Sequence, residues 1–259
     1  MSDKIMPIEE KSISGNEIIV CRSSLSQGFW RGNQGFTRTI PFKKDGTPDW
    51  CAATDWSAPI PISILPGCGD IQAQSTFVYL NGKTLRQFIW RGNQGFIRTV
   101  PLQDKCTPDW NAASDWSAPI SPSTLPGSGD IQSQNEYVSV QGRFLAQGFW
   151  RGNQGFTRTV PFKTDGTPDW DAASDWSAPI APSILPGCGD IQAQSAFVSA
   201  NGTILFQTVW QGNQGFTRTV PFKKDGTGTL NWDAASPWSA PFPTCHLPGC
   251  GDIQTFNEF

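Results

Sequence analysis

A group of aromatic, cationic and amide side chains recurs once in every sixty residues of this sequence. Each group has a tryptophan, usually an arginine directly after it and, following one glycine, Asn-Gln. The members are Trp30, Arg31, Asn33, Gln34, Trp90, Arg91, Asn93, Gln94, Trp150, Arg151, Asn153, Gln154, Trp210, Asn213 and Gln214. An indole face can stack on the C–H face of a sugar, while amide and guanidinium groups bond to its hydroxyls. The pattern therefore predicts up to four similar ligand-binding sites, each suited to a carbohydrate.

The group belongs to a longer unit that occurs four times. The string FWRGNQGFTRT and its close variants begin at Phe29, Ile89, Phe149 and Val209. The 12 tryptophans fall three to a unit. A period of this length is typical of repeat architectures, so the whole chain is expected to be built from one repeated structural element.

Each unit has the pattern of four short β-strands. Residues 190–199, 203–210 and 216–222 are rich in apolar and β-branched types and are separated by Asn-Gly, GNQG and Lys-Asp-Gly turns. The fourth segment corresponds to 170–180 of the third unit. Turns at this spacing indicate antiparallel hairpins, and the 26 glycines and 21 prolines disfavour long helices. Four such units predict an all-β, four-bladed β-propeller.

The two ends of the sequence predict how the propeller closes. The last residues, 251–259, repeat the first strand of the unit alone, whereas residues 11–20 have an unrelated sequence in its place. Pairing of the C-terminal strand with the first blade would close the ring and remove free sheet edges. We expect one domain over residues 1–259, with units at about 10–69, 70–129, 130–189 and 190–251 and a closing strand at 252–259.

Two connections of each unit keep their sequence while the other two drift. The turn between strands 2 and 3 is GNQG in every unit, and the connection to the next blade keeps LPG-x-GDIQ. Both connections lie on one face of a propeller, so this face is expected to carry the binding sites. The glycines have an alternative, conformational role, because Gly32 and Gly35 can supply positive φ and Asn33 tolerates it.

Charged residues suggest an ion pair. Arg31 and Asp55 have equivalents in the second and third units, and both are replaced in the fourth, by Gln211 and Pro237. Their joint loss suggests an Arg–Asp pair, which either stabilises the blades or contacts a ligand.

The connection between blades also carries aspartates and cysteines. The residues at equivalent positions are Asp70, Asp130, Asp190 and Asp252, and Cys68, Cys188 and Cys250. A ring of carboxylates would either bind a cation or cap backbone N–H groups. Buried thiols are the expected state of the cysteines, with a soft-metal site as the alternative.

The composition of the chain narrows the classes of function that we expect. With one histidine, His246, and no nucleophile–base pair or metal motif, we expect no enzyme and no cofactor. A net charge of −3 disfavours nucleic acid as a partner. No apolar run is long enough for membrane insertion, and the first ten residues lack the apolar core of a secretory signal. We therefore expect a cytoplasmic location, with release by a non-classical route left open. The odd count of 7 cysteines agrees with this location, because it fits free thiols in a reducing compartment.

The paired tryptophans of DWxAASDWSAPI resemble those in the blades of tectonin-type and related bacterial and fungal β-propeller lectins. The four units, with Asp-Ile at the inner strand after Pro-Gly, are also similar to hemopexin-like propellers. These resemblances imply sugar binding on or between blades, or protein and ion binding along the channel. We expect a multivalent, non-catalytic protein that binds glycans or glycoconjugates, with a homo-oligomer left open. The alternative is a propeller scaffold that binds a protein partner, or an ion in the channel, on the same face.

Overall fold

Four antiparallel β-sheets make up the protein in a computed structural model, which describes residues 24–103, 107–139, 142, 144–225 and 228–258. The strands are β1 (Ser24–Arg31), β2 (Gln34–Pro41), β3 (Ile60–Pro61), β4 (Ile71–Val78), β5 (Thr84–Arg91), β6 (Gln94–Pro101), β7 (Ile131–Val138), β8 (Phe144–Arg151), β9 (Gln154–Pro161), β10 (Ile191–Val198), β11 (Ile204–Gln211), β12 (Gln214–Pro221), β13 (Phe242–Pro243) and β14 (Ile253–Glu258). Blade 1 has the order β14-β1-β2-β3, blade 2 β4-β5-β6, blade 3 β7-β8-β9 and blade 4 β10-β11-β12-β13.

The four innermost strands form a closed ring. Strand β14 contacts β4, β4 contacts β7, β7 contacts β10, and β10 contacts β14. The strand near the C-terminus completes blade 1 by pairing antiparallel with β1, with Phe29 opposite Phe256. The fold is therefore the predicted four-bladed propeller, closed by the predicted strand. The exact domain limits stay a prediction, and residues 11–20 lie outside the described part of the chain.

The fourth strand of each blade is much shorter than the sequence predicts. It is reduced to two residues in blades 1 and 4 and to a single bridge, such as Gly155–Ile180, in blades 2 and 3. The N–H groups of Thr39 and Thr37 donate instead to the hydroxyls of Thr54 and Ser57, at 3.0 and 3.1 Å. The step from Thr37 to Thr39 is two residues in β2, but the step between their partners Thr54 and Ser57 is three residues in the outer segment. A regular ladder cannot form at that spacing.

The hydrophobic core lies in the spaces between blades. One cluster joins Ala73 and Trp90 of blade 2 to Ile131, Phe149 and Phe156 of blade 3. Aromatic side chains supply most of the area of such a core and bury a large apolar surface each. The helical pieces among the described residues are three-residue 3-10 turns, and none of the helices there is long and apolar enough to cross a bilayer.

Candidate binding site between neighbouring blades

The tryptophans that the sequence predicted to stack on a ligand lie in the core. Trp30, Trp90, Trp150 and Trp210 keep only 6%, 1%, 5% and 0% of their surface exposed. Two of them also donate across a blade boundary, Trp90 Nε1 to Gln134 at 2.7 Å and Trp150 Nε1 to Gln194 at 2.6 Å. Rings with so little exposed surface offer no face to a sugar, so their prediction as ligand-stacking residues is wrong.

The arginines beside the GNQG turn donate to main-chain carbonyls of the connection that precedes their blade. Arg31 Nε donates to the Gly251 carbonyl at 2.7 Å, and Nη1 donates to the carbonyls of Thr244 and Leu247. The same arrangement is formed by Arg91 and Arg151. Their Nε and Nη1 donors therefore serve the main chain, and a role in ligand binding for the remaining Nη2 group stays a prediction.

The predicted Arg–Asp pair is also wrong. Asp55 is exposed, and among the described residues the ion pair that forms is Arg86–Glu136. Gln211 keeps one bond of the arginine that it replaces, from Nε2 to the Gly189 carbonyl at 2.8 Å. The substitution in the fourth unit is thus explained by main-chain binding without an aspartate partner.

The asparagines of the GNQG turn link each blade to the next. Asn33 Nδ2 donates to Asp70 at 3.1 Å, while Gln254 accepts from the Asn33 N–H and donates to its side-chain oxygen. Equivalent links join Asn93 to Asp130, Asn153 to Asp190 and Asn213 to Asp252. The asparagine amides predicted to bind ligand are thus engaged within this ring, and the aspartates accept from them. No group of three or more metal-ligating residues occurs in the described part of the chain.

The first glycine of the turn has a conformational role, whereas the glutamines after Asn33 and its equivalents stay available. Gly32 has φ of 53°, and a Cβ there would collide with the Cys250 carbonyl. Gly35 does not have the positive φ that the sequence suggested, and a Cβ there would lie 2.9 Å from the Trp30 ring. The glutamines are exposed, and the described residues give their side chains no hydrogen-bond partner: Gln34, Gln94, Gln154 and Gln214. Their role in binding therefore stays a prediction.

The cysteines of the connection are not buried as the sequence suggested. Cys68, Cys188 and Cys250 are free and exposed, as are Cys51 and Cys245. Cys106 lies outside the described residues.

A second set of residues, not singled out from the sequence, lines the boundary between neighbouring blades. In blade 1, Arg38 Nε donates to Gln27 Oε1 at 2.6 Å, and the guanidinium lies 4.4 Å from the centre of the Trp56 ring. The equivalent sets are Gln87, Arg98 and Trp116; Gln147, Arg158 and Trp176; and Gln207, Arg218 and Trp238. Burial lowers the pKa of these four arginines from its ordinary value. We call each boundary with its Gln–Arg–Trp set a blade groove.

One exposed indole belongs to each set. Trp50, Trp110, Trp170 and Trp232 have 46%, 51%, 36% and 52% of their surface exposed. Each begins a 3-10 turn, and in blade 2 the Asp109 carboxylate fixes that turn by accepting from two backbone N–H groups. The Arg98 guanidinium lies 5.5 Å from the Trp110 ring and 4.5 Å from the Trp116 ring, so it contacts two indoles. The grooves therefore combine a fixed cation with an accessible aromatic face.

Three of the grooves contain cavities of ligand size. Their volumes are about 710 Å³ between blades 1 and 2, about 300 Å³ between blades 2 and 3, and about 370 Å³ between blades 4 and 1. Small-molecule sites are commonly about 300–1,000 Å³. The exposed indoles Trp110, Trp170 and Trp50 line these three cavities in that order.

Comparison with known proteins gives no family. No protein-family model matches the chain, and no curated protein matches it. Among solved structures, a nidogen/laminin complex is similar with 13% identity and a TM-score of 0.33 over 84% of this chain and 62% of that one. A Lactobacillus plantarum protein (11%, 0.33, 81% and 51%) and TolB from Acinetobacter baumannii (10%, 0.32, 81% and 41%) are similar in the same way.

The chain thus spans between about two fifths and three fifths of the length of these three structures. The assignment of the fold rests on the four sheets and their ring of inner strands, and these similarities do not indicate a lectin family.

Proposed function

We propose that the protein is a multivalent, non-catalytic carbohydrate-binding protein whose sites are the blade grooves. The observation that carries the proposal is the recurrence of one Gln–Arg–Trp set with an exposed indole in all four blades. This location replaces the turn face, where the sequence placed the sites.

The geometry of a groove suits a sugar ring. Arg38 Nε donates to Gln27, and the terminal guanidinium nitrogens of Arg38 have no hydrogen-bond partner among the described residues. A guanidinium fixed in this way presents paired N–H donors to vicinal hydroxyls with little loss of side-chain entropy. The exposed indole, Trp50 in this blade, supplies a ring face for the C–H side of the sugar.

Repetition fits weak binding of this kind. A shallow groove with one or two indoles gives modest affinity, but several grooves on one rigid ring bind a glycan-covered surface with much higher avidity. The exposed large apolar side chains are spread around the ring, and the exposed tryptophans occur one to a blade. That distribution favours separate sites over the single contiguous patch that a protein scaffold would use.

A glycan array followed by titration of tryptophan fluorescence tests the proposal. The first variant replaces the exposed indoles: Trp50→Ala, Trp110→Ala, Trp170→Ala and Trp232→Ala. The matched variant replaces the exposed glutamines of the turn face: Gln34→Ala, Gln94→Ala, Gln154→Ala and Gln214→Ala. We expect the indole variant to lose binding of the best glycan and the glutamine variant to keep it.

Two results would contradict the proposal in different ways. Loss of binding in the glutamine variant alone would move the sites to the turn face. Failure of the folded wild-type protein to bind any glycan would reject carbohydrate binding and make the protein-binding scaffold the next hypothesis to test.

A further inference from the structure

The four grooves are of two kinds, because alternate blades share their inner-strand residues. Blades 1 and 3 carry Asn257-Glu258 and Asn135-Glu136, where blades 2 and 4 carry Ser75-Thr76 and Ser195-Ala196. Both glutamates are buried. Two of the four grooves, those between blades 2 and 3 and between blades 4 and 1, therefore have a carboxyl group at their base.

In the groove between blades 2 and 3, the chain supplies the counter-ion itself. Arg86 Nη1 donates to both carboxylate oxygens of Glu136, at 2.9 and 3.0 Å. The same guanidinium lies 4.8 Å from the centre of the Trp170 ring, which is the exposed indole of blade 3. A cation thus occupies the space between the buried carboxylate and the indole.

The groove between blades 4 and 1 has the carboxyl group and the indole without that cation. The position of Arg86 is taken by Phe206, which stacks on Phe197 at 4.8 Å with an angle of 3° between the rings. Glu258 accepts from Gln27 at 2.8 Å and from Thr208 at 3.0 Å. These are neutral donors, and a carboxylate has room for more than two hydrogen bonds.

Two further features of this groove point to a ligand. Trp210 Nε1 is buried without a hydrogen-bond partner, and its ring lines the same cavity as Glu258 and Trp50. In the preceding blade pairs, a glutamine accepts from the equivalent indole nitrogen, whereas here Phe256 stands at that position. Burial raises the pKa of Glu258 to about 7, since only the more distant Arg38 favours its charged form electrostatically.

We propose that the groove between blades 4 and 1 binds an amino sugar with a free ammonium group, with Glu258 as counter-ion and Trp50 as the ring that covers it. The ammonium takes the place that the Arg86 guanidinium occupies in the groove between blades 2 and 3. This inference rests on the proposed carbohydrate-binding function, because it assigns a sugar class to one of the same grooves.

The positive charge of Arg38 at this groove does not oppose the inference. Its equivalent in blade 3, Arg158, lines the cavity that holds the Arg86 guanidinium, so the arrangement already accepts two cations around one carboxylate. Arg38 itself lines the cavity that contains Glu258.

The experiment compares glucosamine with glucose and N-acetylglucosamine by calorimetric titration of the full-length protein at one pH and ionic strength. Three proteins are measured: wild type, Glu258→Gln, and Phe206→Arg, which reproduces the internal cation of the other groove. We expect the wild type to prefer glucosamine and both variants to lose that preference. For Glu258→Gln the expected loss is about thirtyfold or more, as for removal of one member of a buried charge pair.

The neutral sugars separate failure of this inference from failure of the proposed function. Binding of neutral sugars with no preference for glucosamine, or a preference that survives in both variants, would overturn the inference and leave the function intact. Binding of glucosamine alone, lost in both variants, would support the ammonium site without the other grooves. No binding of any sugar by the folded wild type would reject both.

Discussion

The guanidinium of Arg86 contacts both carboxylate oxygens of Glu136 across the boundary between blades 2 and 3, and both side chains are buried. Gln147 also donates to the same carboxylate. A buried ion pair gives little net stabilisation relative to an apolar pair of the same shape, but loss of one member leaves an uncompensated charge. The pair therefore makes the stability of this boundary depend on both residues together.

Replacement of the cation alone should destabilise the protein strongly. We expect Arg86→Met to lower the free energy of unfolding by about 3–5 kcal/mol, because Glu136 stays buried without its partner. Adding Glu136→Gln should recover much of that loss. Urea unfolding of the two single variants and the double variant measures the coupling. If the loss of stability in the double variant equals the sum of the losses in the two single variants, the two side chains act independently.

The conformation and the hydrogen bonds of Asn33 make separable contributions. Asn33 has φ of 59°, which costs about 1–2 kcal/mol for most residues other than glycine. Its side chain also bonds to Asp70 and Gln254. We expect Asn33→Gly to lower the free energy of unfolding by about 1–2 kcal/mol through the lost bonds, and Asn33→Ala by about 2–4 kcal/mol through added strain. Unchanged stability with loss of glycan binding would instead restore the sequence prediction that Asn33 contacts ligand.

The fold could be predicted from the sequence because the information is local and repeated four times. Turn residues such as Asn33 and the period of the unit mark the strands without any knowledge of tertiary contacts. The short fourth strand could not be predicted in this way, since it depends on the Thr54 and Ser57 hydroxyls replacing main-chain acceptors.

The stacking role that the sequence suggested for Trp30 and its equivalents is wrong because neighbours in sequence point to opposite sides of a strand. Trp30 and Arg31 are adjacent, yet one fills the core and the other binds a loop. The residues of a groove come from different segments and meet through the register of the hairpin, in which Gln27 faces Arg38. That register follows from the GNQG turn, and both residues occur in all four units, so the pair was accessible to a comparison of strands as well as turns.

The two tryptophans of blade 2 should differ in their effect on stability. Trp90 is buried and donates to Gln134, whereas about half of Trp110 is exposed. We expect Trp90→Ala to lower the free energy of unfolding by about 3–5 kcal/mol, which is typical of a large core truncation. Trp110→Ala should cost about 1 kcal/mol or less while reducing acrylamide quenching of the native emission. A larger loss of stability for Trp110→Ala would mean that this indole is a packing residue.

The buried carboxyl group of Glu258 should make stability depend on pH. Its pKa is about 7 in the folded protein, against an ordinary value of 4.5, and burial is the main cause. Between these two values the unfolded chain releases a proton that the folded chain retains. The free energy of unfolding therefore falls as pH rises through this window, by about 3 kcal/mol in all, and levels off above pH 7. Hydrogen bonds from Gln27 and Thr208 and the charge of Arg38 oppose this effect only in part.

Comparison of Glu258→Gln with the wild type isolates this contribution, because the other carboxylates titrate alike in both proteins. We expect the variant to gain stability relative to the wild type between pH 4 and pH 8, measured by urea unfolding at each pH. Glu136→Gln is the matched control, and at pH 8 it should be less stable than the wild type because Arg86 loses its counter-ion. Parallel curves for Glu258→Gln and wild type would show that Glu258 is ionised, and therefore solvated or paired, at neutral pH. If the curves diverge as expected, glucosamine should raise the midpoint of thermal unfolding of the wild type at pH 8 more than that of Glu258→Gln.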